Sequence, residues 1–347
     1  MNYLNVTKTL QVLSLCLMGV LGTQMAHAIN VLDNQPKADA ACPIEDVSHT
    51  EHSQTGEITV RNYGCNDNNR NVVWSVSVPK VCEQEACGLI IDIHGAGMNA
   101  HMQNAGSKLR HYGQIAKTRG AKVAYIVAQP NFTDFFDVHV GFDLSSVLGN
   151  AYINELPGME RFVDDIKSSF DIDPNHIHMY GFSRGTHTTN VFYCDEEKQS
   201  QYASFVMHGE KLTCDVQDNK PLLMINGIFD FFTPNQQARV NSRIMASLRD
   251  QGYQESVVLS ERNWRNKKLT FVRDGWFFKI VFAGQHEHRR FLQGDAKWFE
   301  SIEHSGASLP LAGHCLPVAS KAGFLTCRST FDVGAKIIDF FIAHPKH

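Results

Sequence analysis

Charge is almost missing from the start of this chain. Its first 28 residues hold one charged side chain, Lys8, followed by an apolar stretch over residues 10–21 and the small-x-small ending Ala26-His27-Ala28. A stretch that short does not span a bilayer as a helix. The pattern predicts a secretory signal peptide over residues 1–28, cut after Ala28. Cys16 lies within it, but Leu15 before it is not small, which argues against a lipid-anchored leader. No later run is apolar and long enough to suggest a membrane helix. A large net charge is missing too. The 32 Lys and Arg against 36 Asp and Glu leave −4 at pH 7, which points to neither nucleic acid nor an anionic membrane as partner. There is no C-x-x-C pair, so the cysteines do not read as a zinc site, and no metal is expected. Internal repeats, low-complexity segments and Pro/Gly/Ser-rich linkers are also absent. One domain is the simplest reading.

Cysteine, by contrast, is plentiful. Nine are present. Besides Cys16 they are Cys42, Cys65, Cys82, Cys87, Cys194, Cys214, Cys315 and Cys327. An even number behind a signal peptide predicts disulfides in an oxidising compartment, and so a secreted or periplasmic protein. Their clustering suggests bridges between sequence neighbours: Cys42–Cys65, Cys82–Cys87, Cys194–Cys214 and Cys315–Cys327. Spacing alone does not choose among the possible pairings.

Residues 29–70 read as an irregular polar lead-in, and residues 71–347 as one catalytic domain. Within it, residues 72–78 alternate as a strand and end at Pro79. Residues 88–93, 121–128, 177–180 and 221–226 are compact apolar runs, the mark of buried strands. Residues 108–119, 159–170, 186–193, 236–251 and 331–343 have helical spacing. Residues 269–282 read as a hairpin turning at Asp274-Gly275. Residues 285–311 are the least regular part and suggest a surface insertion. Strands alternating with helices predict an α/β fold, with a mostly parallel sheet covered on both faces.

The most informative run is Gly181-Phe-Ser183-Arg-Gly185, where a strand turns abruptly into a helix. Glycines on both sides of the serine let strand and helix close up at the corner. This is the G-x-S-x-G nucleophile elbow of the α/β-hydrolases. A hydroxyl is a poor nucleophile alone and needs a base, and in that fold an acid and then a histidine follow the serine in chain order. Asp230, just past the strand at 221–226, is placed to orient an imidazole. Rival carboxylates are worse placed: Asp195, Glu196 and Glu197 follow the elbow helix, and Asp215 and Asp218 precede the strand. For the base there are three candidate stretches: His286 with His288, His304, and His314. The pair Gly313-His314, on a loop before the last helix, suits a base that must reach over Ser183, so His314 is preferred. His94-Gly95-Ala96-Gly97 ends a buried strand, and the backbone N–H groups of Ala96 and Arg184 are the expected oxyanion donors. Phe132, Phe135, Phe136, Phe231 and Phe232 follow strand ends on the same side. They read either as loop core or as an apolar cleft wall.

These residues together resemble the secreted poly(3-hydroxybutyrate) depolymerase and feruloyl esterase-like α/β-hydrolases, over roughly residues 70–345. The resemblance rests on Gly181-Phe-Ser183-Arg-Gly185, His94-Gly95-Ala-Gly97, the turn from Gly227 to Asp230 and Gly313-His314-Cys-x-Pro317. It implies His314 as base and the bridges Cys315–Cys327 and Cys194–Cys214. Two positions depart from the pattern. Thr186 stands where relatives often carry a glycine, and Arg184 where many carry Asn, Gln or Ser. The implied activity is a cofactor-free serine esterase acting on polyester-derived or other hydroxyacyl esters. Its alternatives are a feruloyl or acetyl esterase on plant polysaccharide, and a catalytically silent hydrolase fold that binds such material.

Overall fold

The computed structural model describes residues 44–53, 56–67, 70–96, 98–131, 156–217, 220–227, 230, 246, 250, 254–260, 267–273, 276–282, 288–293, 298–304, 314–320, 326–329 and 331–346. The strands are β1 (Ile44–Ser53), β2 (Gly56–Asp67), β3 (Arg70–Pro79), β4 (Cys87–Ile93), β5 (Tyr125–Asn131), β6 (Ile172–Phe182), β7 (Ser204–His208), β8 (Leu222–Gly227), β9 (Gln254–Ser260), β10 (Lys267–Arg273), β11 (Trp276–Phe282), β12 (His288–Gln293), β13 (Trp298–His304), β14 (Leu316–Val318) and β15 (Thr326–Arg328). The helices are α1 (Ala100–Ser107), α2 (Leu109–Gln114), α3 (Leu156–Ser169), α4 (Arg184–Cys194), α5 (Glu196–Gln199) and α6 (Val333–Ala343).

Eleven strands form one sheet in the order β1-β2-β3-β5-β4-β6-β7-β8-β13-β12-β9. Its centre, from β5 through β4, β6, β7 and β8 to β13, is parallel throughout. Antiparallel strands flank it on both sides. Parallel strands joined through helices need apolar cover on both faces, and alternation along β4 supplies it. Leu89, Ile91 and Ile93 join one core with Phe162, Val163 and Ile166 of α3. Ile90 joins the other with Leu109 of α2 and Ile337, Ile338 and Phe341 of α6. Trp74 of β3 stacks on Phe162, ring centroids 3.9 Å apart. Each such buried aromatic or aliphatic side chain contributes roughly 1.5–3 kcal/mol. A parallel sheet covered on both faces, whose central strand β6 turns at a serine into the helix α4, is the α/β-hydrolase fold.

The structure departs from the sequence reading in several elements. Residues 44–67, read as part of an irregular lead-in, form β1 and β2 at the sheet's antiparallel edge. One face of an edge ribbon can stay polar, so a polar composition did not exclude strands. The single helix expected over 108–119 is α2 followed by a 3-10 turn at Ala116–Arg119, and α1 precedes it. Lys108, left-handed at φ 54°, breaks the run between α1 and α2. The strand expected at 121–128 begins later and runs through Pro130, which lies opposite Trp74. Residues 285–311, read as an insertion, contain β12 and β13, and β13 extends the parallel sheet beside β8. The hairpin of β10 and β11 pairs as expected, with Arg273 opposite Trp276, and forms a separate two-stranded sheet. Of the helix expected over 236–251, only residues 246 and 250 are described, both helical.

Candidate active site

The site begins at the corner between β6 and α4. Ser183 has φ 54° and ψ −118°, a region that residues with a side chain rarely occupy and that concentrates at functional sites. Two glycines make the corner possible. A Cβ at Gly181 would stand 2.2 Å from the Gly185 carbonyl oxygen, and one at Gly185 would stand 2.2 Å from the Ile93 carbonyl oxygen. Helix α4 is therefore pressed against the ends of both β6 and β4. Ser183 N–H donates to His208 O at 2.8 Å, and Thr186 N–H donates to Ser183 O at 2.8 Å. Thr186 is the unexpected part. Its buried hydroxyl lies 2.7 Å from Gly181 O and 2.8 Å from His208 O, and it accepts from His208 N–H at 3.0 Å. It laces the helix start to β6 and β7, which a glycine would not do.

Asp230 follows β8, its N–H donating to Gly227 O at 3.1 Å. His314 lies beyond β13, just before the bridge from Cys315, which precedes β14, to Cys327 in the middle of β15. These two residues, 84 positions apart, meet: His314 Nδ1 is 2.8 Å from Asp230 Oδ2, and both are buried. A carboxylate accepts, so Nδ1 carries the proton and Nε2 is left as the basic nitrogen. The His314 ring packs 5.1 Å from the ring of Phe182, the residue before Ser183. A Cβ at Gly209, past the end of β7, would be 3.0 Å from His314 Cε1. The imidazole thus sits over the strand ends from which Ser183 emerges.

The run after β4 closes the site from the other side. A Cβ at Gly95 would be 3.1 Å from the Ser183 Cβ and 3.0 Å from the Phe182 ring. Met98 N–H donates to Gly95 O at 3.2 Å, turning the chain there. His94 is buried, and its Nδ1–H donates to Gly95 O at 2.7 Å. Burial pushes its pKa down to about 4, with Arg184 adding repulsion, so this imidazole stays neutral near pH 7. Ala96 follows Gly95 in this turn, and Arg184 opens α4.

The rival residues have other places. Asp195 caps α5, accepting from the N–H groups of Glu197 and Lys198, a structural duty. Glu196 and Glu197 lie in α5, and Asp215 lies before β8. His288 begins β12 and His304 ends β13, while His286, Asp218, Gly97, Phe132, Phe135, Phe136, Phe231 and Phe232 fall outside the described residues. Cys82–Cys87 and Cys194–Cys214 are bridged, as is Cys315–Cys327. Cys65 lies on β2 opposite Val72, and Cys42 is outside the described residues. Among the described residues, no group of three or more His, Cys, Asp or Glu is arranged to hold a metal ion. Nor is any helix there long and apolar enough to cross a membrane.

Sequence reasoning missed Asp92, which is fully buried on β4 two residues before His94. The signal was available: a carboxylate inside the apolar run Gly88-Leu-Ile-Ile-Asp92-Ile93. Burial raises its pKa to about 6, against the opposing hydrogen bonds from Gln103, Gln129 and Ser107.

No protein-family model matches the chain, and no curated protein sequence does. Among solved structures it is similar to an acetyl xylan esterase from Aspergillus awamori at 12% identity and a TM-score of 0.43, covering 69% of this chain and 91% of that one. A ferulic acid esterase is similar at 12% identity and a TM-score of 0.41, covering 56% and 87%. A thermostable esterase is similar at 17% identity and a TM-score of 0.41. That match covers 54% of this chain and spans only 52% of the esterase's length.

Proposed function

We propose that this protein is a serine hydrolase of carboxylic esters that works through an acyl-enzyme. Ser183 attacks the ester carbonyl while His314 Nε2 takes its proton. Asp230 holds the His314 tautomer and stabilises the imidazolium that forms. The tetrahedral oxyanion is received by the backbone N–H groups of Ala96 and Arg184. His314 then passes the proton to the leaving alcohol, and a water deprotonated by the same imidazole releases the acid. The observation that carries this reading is the 2.8 Å contact of His314 with Asp230, made by an imidazole that packs on Phe182, the residue before a serine held at positive φ. The chemistry uses these three side chains, the two backbone N–H groups and water.

The acyl group is proposed from the resemblance of the site residues. Hydroxyacyl esters of the polyhydroxybutyrate type come first, with feruloyl and acetyl esters of polysaccharide as the second class. The three bridges support a protein that matures in an oxidising compartment, secreted or periplasmic. The test is hydrolysis of p-nitrophenyl esters by the wild type and by Ser183→Ala. The variant should lose at least about a thousandfold in kcat, and activity within tenfold of wild type would refute the assignment. Hydroxybutyrate oligomers, methyl ferulate and short acyl esters, assayed together, then rank the acyl groups.

A further inference from the structure

A row of buried polar side chains crosses one face of the sheet just below the site. Ser75 on β3 lies opposite Gln129 on β5, and Asp92 on β4 lies beside Tyr180 on β6. Gln129 Nε2 donates to Asp92 Oδ2 at 2.6 Å. Two donors come from the helix above: Gln103 Nε2 to Asp92 Oδ1 at 2.7 Å and Ser107 Oγ to Asp92 Oδ2 at 3.1 Å. Arg110 supplies the countercharge, donating from Nε to Gln129 Oε1 at 2.9 Å and from a terminal nitrogen to Ser75 Oγ at 2.9 Å. At the other end the Tyr180 hydroxyl lies 3.1 Å from His208 Nδ1. The carbonyl of His208 holds the Ser183 N–H.

The positions of these donors matter. Asp92 is the penultimate residue of β4, the strand before residues 94–96, while Gln103 and Ser107 belong to α1, the helix that starts after them at Asn99–Ala100. One buried carboxylate therefore ties the chain entering the turn to the chain leaving it. We propose that Asp92 is a positioning residue, clamping residues 94–96 at both ends so that their backbone N–H groups are fixed beside Ser183. A carboxylate suits the task because three donors converge on it, and an acceptor-only group satisfies all of them. An amide there keeps the three bonds only if Gln103 turns over, bringing its Oε1, which has no hydrogen-bond partner among the described residues, to the new NH2. A side chain with no polar atom keeps none of them. The catalytic part of this proposal rests on the esterase reading; the clamp itself does not.

The test pairs Asp92→Ala, which removes both acceptor atoms, with the conservative Asp92→Asn, in which Gln103 can turn its Oε1 to the new NH2 while the remaining oxygen accepts from Gln129 and Ser107. Amide hydrogen exchange is followed at residues 94–96, with β6 amides as the internal reference. Asp92→Ala should speed exchange at 94–96 by about tenfold relative to β6, and Asp92→Asn should stay within about threefold of wild type. On an ester substrate, Asp92→Ala should lower kcat per titrated active site about tenfold or more with KM little changed, and Asp92→Asn should retain most of it. If Asp92→Ala fails to fold, Ser107→Ala removes one donor and should give a smaller change of the same pattern. Unchanged exchange at 94–96 in folded Asp92→Ala, or in Ser107→Ala where it stands in for that variant, overturns the clamp, whether or not esters are hydrolysed. Altered exchange in a protein whose wild type hydrolyses no ester keeps the clamp and sinks the esterase reading instead.

Discussion

Ser183 occupies a backbone conformation that residues with a side chain avoid, at φ 54°, and its surroundings hold it there. Its own N–H is bound by His208, and Thr186 fastens the next turn to two strands. Asp230, only 1% exposed, has no catalytic alternative to its bond with His314 among the roles proposed here. Asp230→Asn should therefore preserve the shape of the pocket while favouring the wrong imidazole tautomer. Its kcat should fall by about 10⁴, with the unfolding midpoint in urea changing far less than activity does. A variant that keeps a tenth of the wild-type kcat would show that His314 does not depend on this carboxylate. That Asp230 and His314 meet was expected because chain order and strand ends constrain where such groups lie. Asp92 was passed over because an acidic residue inside an apolar run gives no hint of its partners. Gln103 and Ser107 reach it from α1 and Gln129 from β5, and only the fold brings them together.

At the scale of elements, the corner between β6 and α4 depends on close approach rather than on apolar burial. The Gly185 position is backed by backbone, with the Ile93 and His94 carbonyl oxygens 2.2 Å and 2.8 Å from a Cβ placed there. No side chain can swing away to make room. Gly185→Ala must push α4 off β4, and overpacking of this kind costs about 1–3 kcal/mol. Because the shift acts at Ser183, the proposed nucleophile, hydrolysis should fall by more than stability does. Urea denaturation alongside the esterase assay will show this, and a fully active alanine variant would mean the corner is looser than described. The central strands were readable as apolar runs, since parallel strands are buried on both faces. The outer strands were not. The β12 sequence His288-Arg-Arg-Phe-Leu-Gln293 lacks alternation, and β13 carries Glu300, which is buried. Charged residues masked the strand that completes the parallel sheet beside β8.

At the scale of the whole molecule, buried ionisable groups set how stability varies with pH. His178 is fully buried between Ser204 and the Phe341 ring, and desolvation holds its pKa well below 6.5. His94 is held at about 4. Below about pH 6.5 the unfolded chain protonates both imidazoles while the folded one resists, so they lower stability as the pH falls. Asp92 acts in the opposite sense: raised from 3.8 to about 6, it takes up its proton first in the folded state. Its contribution is full below pH 3.8 and is lost as the pH rises through about 6. Each proton changes the slope by about 1.4 kcal/mol per pH unit. The two histidines outweigh the one carboxyl, so these groups should lower the urea midpoint between pH 6.5 and 4. Asp92→Asn should steepen that decline, because the opposing group is gone; a shallower decline would contradict the assignment of Asp92 as the raised carboxyl. The proposed function requires one hydroxyl, one imidazole and one carboxylate to meet beyond the ends of the central strands. Reaction with a fluorophosphonate probe, read by peptide mass spectrometry, tests that most directly. We expect one adduct per chain, on Ser183, formed at least about a hundredfold more slowly in His314→Ala. No adduct, or an adduct on another residue, would contradict it.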